Sequence, residues 1–92
     1  MHLTDKQRVE KLEYLDNDWK IEDQLLVRSF DFKNFIQAFS FLEKVAKIAE
    51  NKNHHPQIYN NYNKVVIKLI THDIGSISSK DFDLASEIDK VK

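Results

Sequence analysis

The stretch Glu50 to Asp81, ENKNHHPQIYNNYNKVVIKLITHDIGSISSKD, decides how the chain can fold. Pro56 and the asparagines between positions 60 and 63 bracket a short extended segment, and asparagine tolerates the left-handed backbone of hairpin turns. After them, Val65, Ile67 and Leu69 alternate with other residues, which is typical of a strand with one buried face. The stretch therefore predicts a β-hairpin whose second strand, residues 64–71, ends just before His72, with that histidine pointing away from the core.

A helix is predicted before this hairpin, over residues 33–50. Its apolar stripe at spacings of three and four consists of Phe35, Phe39, Leu42, Val45, Ala46 and Ala49. Ile36, Phe41 and Ile48 fall off that stripe. We interpret them either as a broad core contact or as a second face buried against another subunit.

The N-terminal third of the chain predicts a helix and two strands. Thr4 and Gln7 are spaced as a capping box, and Val9, Leu12 and Leu15 form an apolar stripe, which indicates a helix over residues 3–15. Alternating apolar residues between positions 19 and 32 then predict two strands joined by a tight turn at positions 23 and 24.

A last helix is predicted from Ser78, with Asp81 at its third position. The order is then helix, two strands, helix, two strands, helix. This order predicts the α+β class, with a four-stranded antiparallel sheet and three helices on one face. One glycine and one proline in 92 residues leave few places for a linker, so we expect residues 1–92 to form a single domain.

Composition narrows the functional classes. The net charge of -1, with 32% charged residues, gives no reason to expect a nucleic-acid surface. The absence of cysteine excludes disulfides and thiolate nucleophiles. With a polar N-terminus and no apolar run approaching the roughly 20 residues of a spanning helix, we expect a cytoplasmic protein without a membrane partner.

Three of the four histidines, His54, His55 and His72, lie within the opening stretch. Imidazole has an unperturbed pKa of about 6.5 and can give or take a proton near neutral pH, so the cluster suits acid/base chemistry. A metal site and an ordinary polar loop are the alternatives. Glu50 lies four residues before His54, where a continuing helix would bring the two together, and Asp81 serves equally as a capping residue.

The spacing across the stretch resembles the signature of the pterin-4a-carbinolamine dehydratase family. Glu50 is followed after three residues by His54-His55-Pro56, and further matches come at Tyr62, His72 and Asp81. The similarity also covers Trp19, the strand with Arg28, and the apolar positions on either side of the stretch, so it extends over nearly the whole chain.

The resemblance implies an enzyme that dehydrates 4a-hydroxy-tetrahydropterin to quinonoid dihydropterin without metal or other cofactor. His54, His55 and His72 would surround the pterin, with His55 as the main proton-transfer group, while Glu50 and Asp81 would orient the histidines. Where many relatives have Glu-Trp after His-His-Pro, this chain has Gln57-Ile58. Because that tryptophan borders the pterin in the relatives, the resemblance leaves Pro56, Ile58 and Tyr59 as the predicted substrate contacts in this chain.

The family resemblance also implies a homodimer or homotetramer and leaves a second functional class open. Some members act without catalysis, as a dimerisation cofactor of a homeodomain transcription factor or in rubisco assembly. Retention of all three histidines favours the enzyme, because a scaffold has no need of them. A metal site made by the three histidines is the third hypothesis, and we rank it lowest because neighbouring histidines chelate poorly.

Overall fold

The structure, a computed structural model, describes residues 2–92. Its elements in chain order are α1 (Asp5–Leu12), β1 (Lys20–Glu22), β2 (Leu25–Asp31), α2 (Phe35–Lys52), β3 (Gln57–Asn61), β4 (Lys64–Leu69) and α3 (Ser79–Val91). A short 3-10 turn, His72–Ile74, lies between β4 and α3. None of the helices within this range is both long and apolar enough to cross a lipid bilayer.

The strands form one antiparallel sheet in the order β1-β2-β4-β3. Leu26 on β2 pairs with Leu69 on β4, and Phe30 pairs with Val65 in the same register, so their side chains share one face. This face packs against buried side chains of α2 and α3, which include Val45, Leu84, Ala85 and Ile88. The predicted α+β fold, with its order of helices and strands, is confirmed.

Both hairpins turn on residues in the left-handed region. Asp23 and Gln24 have φ values of 48° and 66°, which fits the predicted tight turn between β1 and β2. In the second hairpin the left-handed residue is Tyr62, with a φ of 53°, rather than an asparagine. Asn60 stabilises that turn from the side, because its Nδ2 donates to the carbonyls of Tyr62 and Lys64 at 3.2 and 2.9 Å.

The predicted apolar stripe of α2 is partly wrong. The buried residues of this helix are Ala38, Phe41, Leu42, Val45 and Ala49. Phe41 belongs to the core because its ring lies 4.7 Å from that of Phe30, a contact that sets the rotation of the helix. Phe35, Phe39 and Ala46, predicted to face inward, are exposed, as is Ile36. The N-terminal half of α2 therefore presents an apolar surface outside the core.

Helix α1 is shorter than predicted but begins as the sequence indicates. The capping box between Thr4 and Gln7 is present, with bonds of 2.9 and 3.1 Å between each side chain and the other's backbone N–H. Leu12 and Leu15 pack at the edge of the core. Val9 is exposed, so its predicted place on the inward stripe is wrong.

A buried arginine joins β2 to α3. Arg28 is only 2% exposed, and its Nη1 donates to Asp89 at 2.8 Å while its Nη2 lies 3.4 Å from Asp18. The indole N–H of Trp19 donates to the same Asp89 carboxylate at 2.9 Å. Because Arg28 also lies 4.3 Å from the centre of the Phe30 ring, it is packed as well as paired.

Candidate active site

Three chain segments meet at one corner of the molecule: the end of α2, the end of β4 and the beginning of α3. Helix α2 ends because Asn53 adopts the left-handed conformation, with a φ of 51° and a ψ of 42°. The N–H of His54 then donates to the carbonyl of Ala49 at 3.1 Å, which closes the helix end. This turn redirects the chain, so that His54 and His55 lie on a corner between helix and strand.

His54 lies against the N-terminus of α3. Its Nε2 is 2.6 Å from Oδ1 of Asp81, and the two side chains are 13% and 0% exposed. The other oxygen, Oδ2, accepts the backbone N–H of Ser78 at 2.9 Å in the predicted capping box. Asp81 therefore caps α3 and holds a histidine at the same time, the two uses that the sequence left as alternatives.

His55 lies on the more exposed side of the corner. Its Nε2 is hydrogen-bonded to Oε2 of Glu50, and its side chain is 58% exposed. The sequence placed Glu50 beside His54 only if the helix continued that far, and the structure instead pairs Glu50 with His55. The reason is the left-handed Asn53, which ends the helical spacing before His54 and brings the next residue over the last turn of α2.

His72 completes the group from the other side. It begins the 3-10 turn after β4 and is exposed, as expected for a residue that continues the outward series of that strand. A cavity of about 310 Å³ brings the three histidines together. Its lining residues are Asn53, His54, His55, Thr71, His72, Asp73 and Lys80.

The three predicted substrate contacts lie beyond this lining. Pro56 is half-buried and directly follows His55. Ile58 and Tyr59 are exposed on β3, and their side chains alternate between the two faces of the sheet. The ring of Tyr59 faces the side opposite the core, where the ammonium of Lys68 lies 5.2 Å from its centre. Their proposed contact with substrate stays a prediction.

Sequence reasoning missed four lining residues, Asn53, Thr71, Asp73 and Lys80, among them a buried hydroxyl and a lysine in the first turn of α3. Thr71 is buried just beyond β4, in an isolated bridge to Ser76, where a β-branched residue is ordinary and suggests no role. Lys80 is an exposed lysine in the first turn of α3 and also lines a neighbouring cavity with His54, Lys52 and Asp83. Only proximity in the fold identifies these residues.

The geometry suits proton transfer by two nitrogens that point away from their carboxylates. A carboxylate accepts hydrogen bonds, so Asp81 and Glu50 favour a proton on Nε2 of His54 and of His55. The Nδ1 atom of each ring is then the one that can exchange a proton with a bound molecule. Among residues 2–92, no group of three or more His, Asp or Glu side chains is arranged to hold a metal ion.

A family model and known proteins of similar sequence point to one family. The family model described as pterin 4 alpha carbinolamine dehydratase matches residues 1–91. A protein of Prochlorococcus marinus strain MIT 9515 is 44% identical over 90 residues, which cover 98% of this chain and 94% of that protein. One from strain MIT 9312 is 53% identical over 73 residues, 79% of this chain and 76% of its own. Both are provisionally named pterin-4-alpha-carbinolamine dehydratase.

Solved structures agree with this assignment. A Brucella melitensis crystal structure, described as a transcriptional coactivator/pterin dehydratase, superposes with a TM-score of 0.94 at 34% identity and covers 99% of this chain and 98% of its own. A pterin dehydratase-like protein, described as a RuBisCO assembly factor in the alpha-carboxysome, has a TM-score of 0.70 at 23% identity, over 80% of this chain and 88% of its own. The second likeness concerns the fold alone. From the family match over 91 residues and these relatives, the chain belongs to the pterin-4-alpha-carbinolamine dehydratase family.

Proposed function

We propose that this protein dehydrates 4a-hydroxy-tetrahydropterin to quinonoid dihydropterin by histidine acid/base catalysis. The observation that carries the proposal is the single cavity shared by His54, His55 and His72, in which two imidazoles are held by carboxylates through Nε2. Family membership supplies the substrate class.

The reaction needs two proton movements. The C4a–O bond breaks as the departing hydroxyl takes a proton and leaves as water, while N5 loses a proton and forms a double bond to C4a. The substrate is converted to product plus water without gaining or losing electrons overall, so the step needs no redox cofactor. Imidazoles on one cavity can supply the first proton and accept the second.

The different surroundings of the histidines suggest a division of labour. His55 is more exposed and paired with the exposed Glu50, so it can exchange protons with water between turnovers. We assign it the main proton transfer. His54, held by the buried Asp81, and His72 bind the departing hydroxyl, because a fixed ring is better suited to orienting a group than to exchanging with solvent.

The proposal includes the surroundings of the reaction. Pro56, Ile58 and Tyr59 would contact the pterin ring at the β3 side of the site.

The family match over residues 1–91 supports a single catalytic domain over residues 1–92. The lack of cysteine suits a reducing, cytoplasmic location, and recycling of the pterin of aromatic amino acid hydroxylases is the role that follows from this substrate.

A non-catalytic interaction role is the second candidate. The apolar surface of α2, formed by Phe35, Ile36 and Phe39, favours association with a protein. The Brucella melitensis relative is described as a coactivator as well as a dehydratase. The same surface equally supports a homodimer or homotetramer of this chain. A stable heterologous partner that binds a variant lacking the three histidines as well as it binds wild type would favour the interaction role.

The purified protein should accelerate the loss of the ultraviolet signal of chemically generated 4a-hydroxy-tetrahydropterin. The reason is that positioned acid/base groups typically increase a rate by about 100- to 10,000-fold each. The assay compares native protein, the same protein after unfolding, and buffer. A native rate no higher than the buffer rate would refute catalysis and leave the interaction role.

A further inference from the structure

We propose that Thr71 is a positioning residue of the histidine cavity: through Asp81, its hydroxyl fixes His54 with the proton on Nε2 and Nδ1 available to the cavity. Thr71 is 4% exposed, lines the cavity, and immediately precedes His72. Its effect on the rate rests on the proposed function. Its effect on the His54 proton does not.

Hydrogen-bond geometry gives the hydroxyl chain a single direction. Thr71 Oγ1 lies 2.8 Å from Oδ2 of Asp81 and 2.6 Å from Oγ of Ser78. A hydroxyl has one proton to donate. If Thr71 gave it to Ser78, two oxygens would face each other at 2.8 Å without a proton between them, so Thr71 donates to Asp81 and Ser78 donates to Thr71.

The direction is consistent at the far end of the chain. The backbone N–H of Lys80 donates to Oγ of Ser78 at 3.2 Å, so this oxygen accepts one bond and donates one. Ser78 and Asp81 are fully buried. Each buried polar atom in the series thereby has a partner, which is the condition for burying such a network at low cost.

The same accounting determines the state of His54. Asp81 accepts the Thr71 hydroxyl and the Ser78 N–H on Oδ2, and it faces His54 Nε2 with Oδ1 at 2.6 Å. An ionised carboxylate has no proton to give. The proton in that contact therefore belongs to Nε2 of His54, which leaves Nδ1 as the unprotonated nitrogen of the neutral ring.

Loss of the Thr71 hydroxyl should release this arrangement. In Thr71→Val, which keeps the shape of the side chain, Oδ2 loses one donor and Ser78 loses its acceptor. The Asp81 carboxylate can then rotate or bind a water molecule in place of the lost donor. As a result, His54 can populate a second ring orientation or tautomer. Thr71→Ser keeps the hydroxyl and should restore the wild-type state.

The test is imidazole nitrogen NMR of histidine-labelled protein, with His54 assigned by its loss in His54→Gln. In wild type, we expect a protonated-type shift at Nε2 and an unprotonated-type shift at Nδ1 in the neutral ring. Thr71→Val should show averaged or doubled His54 signals and a kcat lower by about 10-fold, with a smaller change in KM. Thr71→Ser should match wild type in both.

Ile67→Val, a core change on β4, the strand that leads into Thr71, controls for lost stability. Wild-type His54 with its neutral-state proton on Nδ1 would overturn the proposal, and this observation needs no Thr71 variant and no activity. A Thr71→Val protein with the wild-type His54 spectrum would overturn it equally. Wild-type spectra as expected in a protein without dehydratase activity would retain the hydrogen-bond assignment while removing the proposed function.

Discussion

Replacement of His55 by alanine will slow the dehydration of 4a-hydroxy-tetrahydropterin by about 100- to 10,000-fold without unfolding the protein. His55 is exposed, and its side chain contacts Glu50 rather than the core, so its removal creates no buried cavity. The rate is measured from the decay of the ultraviolet signal, and folding is measured by circular dichroism and the urea midpoint.

His2→Ala is the matched control, because His2 is exposed near the N-terminus and outside the cavity. It should retain the full rate. Glu50→Gln should give an intermediate rate, since it retains the imidazole but removes the charge that orients it. A His55→Ala rate within a factor of two of wild type would show that the main proton transfer lies elsewhere in the cavity.

Replacement of Arg28 by alanine will lower the free energy of unfolding by about 3–5 kcal/mol, the usual cost of removing one partner from a buried ion pair. The 2% exposed guanidinium contacts Asp89 and Asp18 at 2.8 and 3.4 Å. Its loss leaves the Asp89 carboxylate with the Trp19 indole as its remaining side-chain donor and opens space beside Phe30. Urea unfolding followed by Trp19 fluorescence measures the change.

Lys64→Ala is the control for this second prediction. Lys64 and Asp31 are 2.9 Å apart, like the buried pair, but both are largely exposed. Exposed pairs contribute between about 0 and 1 kcal/mol. If both variants lowered the free energy of unfolding by the same amount, burial could not be the reason that the contacts of Arg28 stabilise the fold.

The strands were predictable because their signal has a period of two. Arg28 falls in the same alternating series as Leu26 and Phe30, and all three are buried. Helix α2 was harder, because it is apolar on two faces. Spacings of three and four selected the stripe with Phe35 and Phe39, but the packing of the sheet selects the face that places Phe41 on Phe30.

The site was only partly predictable from the residues themselves. Periodicity places His72 at a strand end, but the convergence of His54, His55 and His72 on one cavity followed from the family resemblance. The partner of Glu50 depends on one left-handed residue, Asn53, whose conformation no spacing rule determines. The sequence assigned no role to Thr71, because the role of a buried hydroxyl depends on the atoms that it contacts in the fold.

The most direct test of histidine acid/base catalysis is the dehydration rate of chelator-dialysed wild-type protein beside that of the triple variant His54→Ala, His55→Ala, His72→Ala. Elemental analysis of both samples accompanies the assay. We predict that the wild-type protein accelerates the reaction with substoichiometric metal, and that the folded triple variant gives the buffer rate. A triple variant as fast as wild type would contradict the account. So would a wild-type rate that is lost when stoichiometric zinc is removed and returns when zinc is added back.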